Sequence, residues 1–126
     1  MENSKIEKDR FKEEFKKRIK EFVLNLIQFV DSLPHDRIEK VIGDQLIRSG
    51  TSVGANYFEA RSASSKNDFI NFFTYSLKSC NESKFWIELL IDSLKCNNRE
   101  GHTLLKEANE ISNIFASSIL TLKGKK

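Results

Sequence analysis

Few side chains in this sequence could do chemistry. It has two histidines, His35 and His102, and two cysteines, Cys80 and Cys96. Neither histidine completes a Glu-x-x-His pair of the kind that holds di-iron centres in helical bundles. Neither follows an arginine by four to six residues, as in helical ribonucleases. No phosphate-binding Walker loop and no Cys-x-x-Cys is present. His35, Cys96 and His102 fall at one end of the topology derived below, but three ligands without regular spacing make a weak zinc pattern, so no metal is expected. Without a nucleophile–base pair or a metal set, the sequence reads as a non-enzyme that needs no cofactor.

Two other kinds of residue could recognise a partner. Ser49 and Asn56 fall within an otherwise apolar helical stripe, with Arg48 and Glu59 beside it. Buried polar groups need hydrogen-bond partners, and Asn81 and Glu82 are the candidates on a neighbouring helix. Such a network either fixes helix register or binds a ligand. The second kind is cationic. Lys5, Lys8, Arg10, Lys12, Arg61, Lys66, Lys123, Lys125 and Lys126 gather at one end of the expected topology against Glu2, Glu7, Asp9, Glu59 and Asp68. A basic end can bind a phosphate backbone by releasing counterions; lysine-rich ends also serve solubility alone. The whole-chain excess is small, +3 at pH 7, which permits an anionic partner without demanding one.

The elements that must position these residues are long helices. The 126 residues include one proline and five glycines, too few turns for a sandwich, a Rossmann sheet or a solenoid of short repeats. Phe11, Phe15, Ile19, Phe22, Leu26, Phe29 and Leu33 recur at steps of three and four, which predicts a helix over 6–33 whose charged opening projects into solvent. Pro34 ends it and is placed to open a second helix over 35–62. There Ile38, Ile42, Leu46, Ser49, Val53, Tyr57 and Ala60 share one face; a break at Gly50 is the alternative to one continuous helix. Ser65 as N-cap with Asp68 at N3 starts a third helix over 66–96, striped by Phe69, Phe73, Leu77, Cys80, Ile87, Ile91 and Leu94. After a connection at 97–101, Leu104, Ala108, Ile111, Phe115, Ile119 and Leu122 define a fourth helix over 103–122. The expectation is a single all-α domain over 1–126, an up-down-up-down four-helix bundle. Cys80 and Cys96, both on the third helix, are then separated by about 24 Å of axial rise and cannot pair.

Helices two and three carry more apolar residues than one stripe needs. Ile47, Gly50, Gly54 and Phe58 form a second face on helix two. Phe72, Trp86 and Leu90 lie a quarter-turn off the main face of helix three, and Phe85 and Leu89 lie nearly opposite it. Some exposed aromatics are normal. Two helices with second apolar faces point instead to subunit contacts, so a homo-oligomer is expected, with Ile47, Gly50, Gly54, Phe58, Phe72, Phe85, Trp86 and Leu89 as its interface. No apolar run approaches the roughly 18 residues of a membrane span. With no apolar leader and with unpaired thiols, a cytoplasmic location is expected.

One stretch carries a family resemblance. Gln45, Leu46, Arg48, Ser49, Ser52, Val53, Ala55, Asn56, Glu59 and Ala60 match the approximate pattern Q-L-x-R-[SA]-x-x-S-[IV]-x-A-N-[IL]-x-E-[AG] of the bacterial 23S rRNA intervening-sequence proteins, also labelled S23-type ribosomal proteins. Tyr57 departs from it, an aromatic where a small aliphatic is usual. Asp68-Phe69-Ile70 and Lys78 to Ile87 resemble the second signature, [DE]-F-[IL] followed by Lys-Ser-x-x-E-x-x-[YF]-W-[IL]. The resemblance implies a four-helix bundle assembled as a homopentameric ring. It adds Ser52 to the polar set of Arg48, Ser49, Asn56, Glu59, Asn81 and Glu82. It also implies kinship with the accessory variability protein of diversity-generating retroelements, which partners a reverse transcriptase and binds nucleic acid. Two functions follow as expectations: binding of structured RNA through the basic end, or docking of a partner protein with no nucleic-acid role.

Overall fold

The computed structural model describes residues 2–93 and 98–124, and among them the only regular elements are four helices: α1 (Glu2–Asp31), α2 (Arg37–Arg61), α3 (Lys66–Ser93) and α4 (Arg99–Leu122). Each packs on its sequence neighbours, and α4 closes back on α1, the arrangement expected of an up-down-up-down bundle. Leu94, Lys95, Cys96, Asn97, Lys125 and Lys126 lie outside the described residues, and with them Cys96 as a metal-ligand candidate, the last turn foreseen for α3 and two lysines of the basic end.

α1 is about 45 Å long by its thirty residues, well over the length of α2 or α4. Residues 3–14 are all exposed, and burial begins at Phe15 and continues through Ile19, Phe22, Leu26, Phe29 and Leu33. Phe11, expected in that stripe, is instead 54% exposed, because α1 has already run past the ends of its neighbours; its ring stacks on Phe15 with centroids 6.1 Å apart. The helix closes when the Ser32 Oγ donates to the Phe29 carbonyl at 2.7 Å.

Pro34 does not open α2. The chain spends residues 32–36 on the reversal, and α2 begins at Arg37 after Asp36, whose backbone is extended. Ile38 is 57% exposed rather than buried, since it sits in the first turn at the end of the bundle. α2 then runs unbroken through Gly50 and Gly54. Both glycines are buried, and the residues they face belong to α1: a Cβ on Gly50 would lie 2.4 Å from Leu26 Cδ1, and one on Gly54 would lie 3.4 Å from Val23. The second face of α2 is thus largely consumed inside the chain. Gly50 and Gly54 are notches for α1 and are corrected from subunit contacts to core.

α3 starts as foreseen: the Ser65 Oγ accepts from the Asp68 backbone N–H at 3.0 Å. Its face toward α2 is rich in small residues, which lets the two backbones come close. Ser49 and Ser83 share a hydrogen bond of 2.8 Å, Ser52 and Ser79 one of 2.9 Å, and Ser76 donates to the Val53 carbonyl at 3.0 Å. Leu90, expected off the main face of α3, is fully buried. α4 begins at Arg99, four residues ahead of expectation, because Asn98 caps it by accepting from the Gly101 N–H at 3.1 Å. Gly101 suits that turn, as a Cβ there would meet Ile91 at 2.9 Å.

Candidate functional site

Three places gather the residues with recognition chemistry. The first is the outer seam between α2 and α3. Arg48 donates to the Gln45 side chain at 3.0 Å and to the Glu82 carboxylate, which also accepts from the Trp86 indole N–H at 2.9 Å. The Trp86 bond, reinforced by Arg48, holds the Glu82 carboxyl below its ordinary pKa against a partial desolvation penalty. One turn along, the Asn56 amide donates to both the carbonyl and the hydroxyl of Ser52 at 3.0 Å. The seam thus holds two separate polar groups, Arg48 with Glu82 and Trp86, and Ser49 with Ser83, Ser79, Ser52 and Asn56. Glu59 and Asn81 are exposed and stand outside them; the α3 members are Ser79 and Ser83 in place of Asn81. The signal for those serines was present in the three- and four-residue spacing of Ser76, Ser79, Cys80 and Ser83, small residues on one helical face.

Gly50-Thr51-Ser52-Val53-Gly54 also spells Gly-x-Ser-x-Gly, the string of a hydrolase nucleophile elbow. That string exposes its serine only on a strained strand-to-helix turn. Here it is continuous α-helix, and the Ser52 hydroxyl is engaged by Ser79 and Asn56. Both histidines are exposed and lie near the opposite end of α2. Among the described residues no group of His, Cys, Asp or Glu side chains is placed to hold a metal.

The second place is the apolar flank of the same seam. Phe85 is 53% exposed and tilts against Trp86 with centroids 5.0 Å apart; Phe72 and Leu89 are half-buried, and Tyr75 is exposed beside Phe72. Of the residues foreseen as an interface, these α3 members and Phe58 remain accessible. Ile47 is half-buried.

The third place is the end where α1 projects. Lys5, Lys8, Arg10, Lys12, Arg61, Lys66 and Lys123 are all exposed there. The end is less basic than its lysines alone suggest, because Glu13 and Glu14 belong to the same turns and Glu13 pairs with Arg61 at 3.3 Å. What the helix does create is a row. Lys5, Lys12, Lys16 and Lys20, spaced by seven, four and four residues, fall along one edge of α1 and span about 22 Å. Lys16 stands over the Phe58 ring at 5.8 Å, which places this edge beside α2. None of the four is in an ion pair among the described residues. Lys8 lines a cleft that Lys12 of the row also borders, and Arg10 is exposed away from that lining. Further along, Arg18 holds Glu107 of α4 through two bonds of 2.7 and 2.6 Å, which raises its already high pKa.

Residues 12–117 match the family of 23S rRNA-intervening sequence proteins. A crystal structure of a protein of unknown function from the S23 ribosomal protein family of Bacteroides thetaiotaomicron is 35% identical and superposes with a TM-score of 0.76, covering 82% of this chain and 96% of that one. No curated protein matches the chain. The first turns of α1, with Lys5, Lys8 and Arg10, precede the family match. No described helix is long and apolar enough to cross a membrane.

Proposed function

The chain belongs to the 23S rRNA-intervening sequence protein family, and on that footing we propose that it is a non-enzymatic, self-associating helical bundle that binds structured RNA by its phosphate backbone. The observation that carries the reading is the row of Lys5, Lys12, Lys16 and Lys20 on one edge of α1. Lys12, Lys16 and Lys20 repeat about every 6 Å along the helix. Asp9 lies one turn from both Lys5 and Lys12 on the same edge, and none of the four lysines is held in an ion pair among the described residues. Arg61, Lys66 and Lys123 lie at the end where the row begins. Lys16 stands over the Phe58 ring in the row's path, although the ring stays 44% exposed, and the row's own contacts are cationic, so they position the RNA without reading bases.

Self-association is supported by Phe85, Trp86, Leu89 and Tyr75 on the outer flank of α3, an apolar surface that monomers rarely leave bare. The same surface supports a second reading, in which it docks a different protein and nucleic acid is incidental. The resemblance favours a pentameric ring over that reading, and the mass of the purified chain separates the two: an oligomer supports the first, a monomer the second. The RNA proposal is tested by titrating a structured RNA across a salt series. A linear fall of log affinity with log salt, with a slope of roughly −3 to −4 per bound protomer, is expected for four or five neutralised phosphates. No binding at low salt overturns it.

A further inference from the structure

The end of the bundle where α1 outruns its neighbours holds a cleft of about 700 Å³, within the range of about 300–1,000 Å³ of small-molecule sites. Its floor is the last aromatic layer of the core. Phe15, Tyr57 and Phe73 are nearly fully buried and meet edge to face or tilted, with centroids 5.3 Å apart for Phe15 and Tyr57 and 6.0 Å for Tyr57 and Phe73. Phe69 lies over Phe73 at 4.4 Å as one wall. The rim is cationic, with Lys8 and Lys12 from α1 and Arg61 from α2, against Glu7 as the one acidic residue of the lining. Arg61 is also bridged to Glu13, whose own side chain is mostly exposed, through a single contact of 3.3 Å.

Tyr57 ties floor to rim. It is 3% exposed, and its hydroxyl donates to the Lys12 carbonyl at 3.5 Å, the outer limit of a hydrogen bond. Burial raises the pKa of this hydroxyl, and the Arg61 guanidinium acts on it in the opposite sense with smaller effect. The long bond to Lys12 leaves the hydroxyl proton available to an acceptor arriving in the cleft. We propose that the cleft binds an amphiphilic carboxylate of the medium-chain fatty-acid class, its acyl chain on the aromatic floor and its carboxylate between Lys8, Lys12 and Arg61, within reach of the Tyr57 hydroxyl. The apolar floor excludes a simple inorganic anion as the best ligand. The cations exclude a neutral hydrocarbon.

Calorimetric titration with hexanoate, octanoate and decanoate, each below its micellar concentration, tests the assignment. Affinity is expected to rise about threefold to fourfold per added methylene. Decanol is expected to bind at least tenfold more weakly than decanoate, and inorganic phosphate not measurably. The double variant Lys8→Gln/Lys12→Gln, at exposed positions that leave the core intact, is expected to weaken decanoate about three- to tenfold. Ser118→Trp, which places an indole in the cleft, should abolish binding while circular dichroism remains helical. Affinity without chain-length dependence, decanol equal to decanoate, or an unaffected lysine variant would each overturn the proposal. Lys12 belongs to both the cleft rim and the lysine row, so the lysine variant also removes one cation of the row. The chain-length series and Ser118→Trp leave every cation of the row in place and separate the two readings.

Discussion

The Cys80 thiol is fully buried between α3 and α4, where it donates to the Ala108 carbonyl at 3.3 Å. Burial pushes its pKa up to about 11, whereas a thiol in an unfolded chain ionises near about 8.5. Between those values the unfolded chain has released a proton that the folded chain retains, so this group's stabilisation is complete below about pH 8 and declines as pH rises toward 11. Denaturant midpoints measured at pH 7.5 and 9.5 should therefore fall more for the wild-type chain than for Cys80→Ala; parallel losses would put the effect elsewhere. The same burial should protect Cys80 from alkylation until the protein is unfolded. Arg18 gives a second residue-scale test. It is the bidentate tie between α1 and α4, helices that otherwise touch least, and both partners are about one-third exposed. Glu107→Gln should cost about 1 kcal/mol, read from chemical denaturation, with Glu110 at 3.4 Å retaining part of the attraction.

Among the elements, α2 has two glycines that make opposite predictions. A Cβ at Gly54 would rest 3.4 Å from Val23, an ordinary contact, so Gly54→Ala should gain about 0.5–1 kcal/mol from helix propensity alone. A Cβ at Gly50 would lie 2.4 Å from Leu26 Cδ1 and 2.8 Å from Cδ2, and Leu26 is fully buried with little room to turn aside. Overpacking there costs about 1–3 kcal/mol, which outweighs the propensity gain, so Gly50→Ala should lower thermal stability. A rise in Gly50→Ala to match Gly54→Ala would show that α1 is free to shift outward. These glycines also mark where sequence reasoning stopped. Periodicity located all four helices and most of their buried stripes, because a three-and-four spacing of large apolar residues reports one face regardless of neighbours. It set Gly50 and Gly54 on a second, opposed face and assigned that face to another subunit, since nothing in one helix's spacing says which helix will cover it; they adjoin the main stripe and are covered by α1. Phe11 and Ile38 obeyed the period yet lie in the light, because periodicity does not record where a neighbouring helix ends. The α2 side of the seam was read from Ser49 and Ser52, but its α3 partners were assigned to Asn81 and Glu82, because the spacing of Ser76, Ser79 and Ser83 adds nothing to an apolar moment. The pairs are Ser49 with Ser83 and Ser52 with Ser79.

For the whole molecule, the apolar flank of α3 and the lysine row of α1 lie on different helices that do not pack on one another, so assembly and RNA contact can be uncoupled by substitution. Phe85→Glu places a charge on an exposed ring position without touching the core, and should turn an oligomer into a monomer that keeps its helical circular dichroism and melts at a temperature independent of concentration. That variant keeps every cation of the row, so its affinity for a short RNA spanning one subunit should equal that of the wild type. On a long RNA that bridges subunits, linked sites raise the effective concentration of each successive contact, and the monomer should bind more weakly by a factor on the order of 100. Lys12→Gln/Lys20→Gln should do the reverse: it should weaken binding to both RNAs, lower the salt slope by about 2 per protomer and leave the mass unchanged. Sedimentation of each variant with and without the two RNAs reads mass and binding together. If Phe85→Glu binds the long RNA as tightly as the wild type, the row acts within single subunits and the proposed assembly serves something other than RNA avidity. If Lys12→Gln/Lys20→Gln alters the mass, the lysine edge belongs to the subunit interface, and the α1 surface is not free to meet RNA at all.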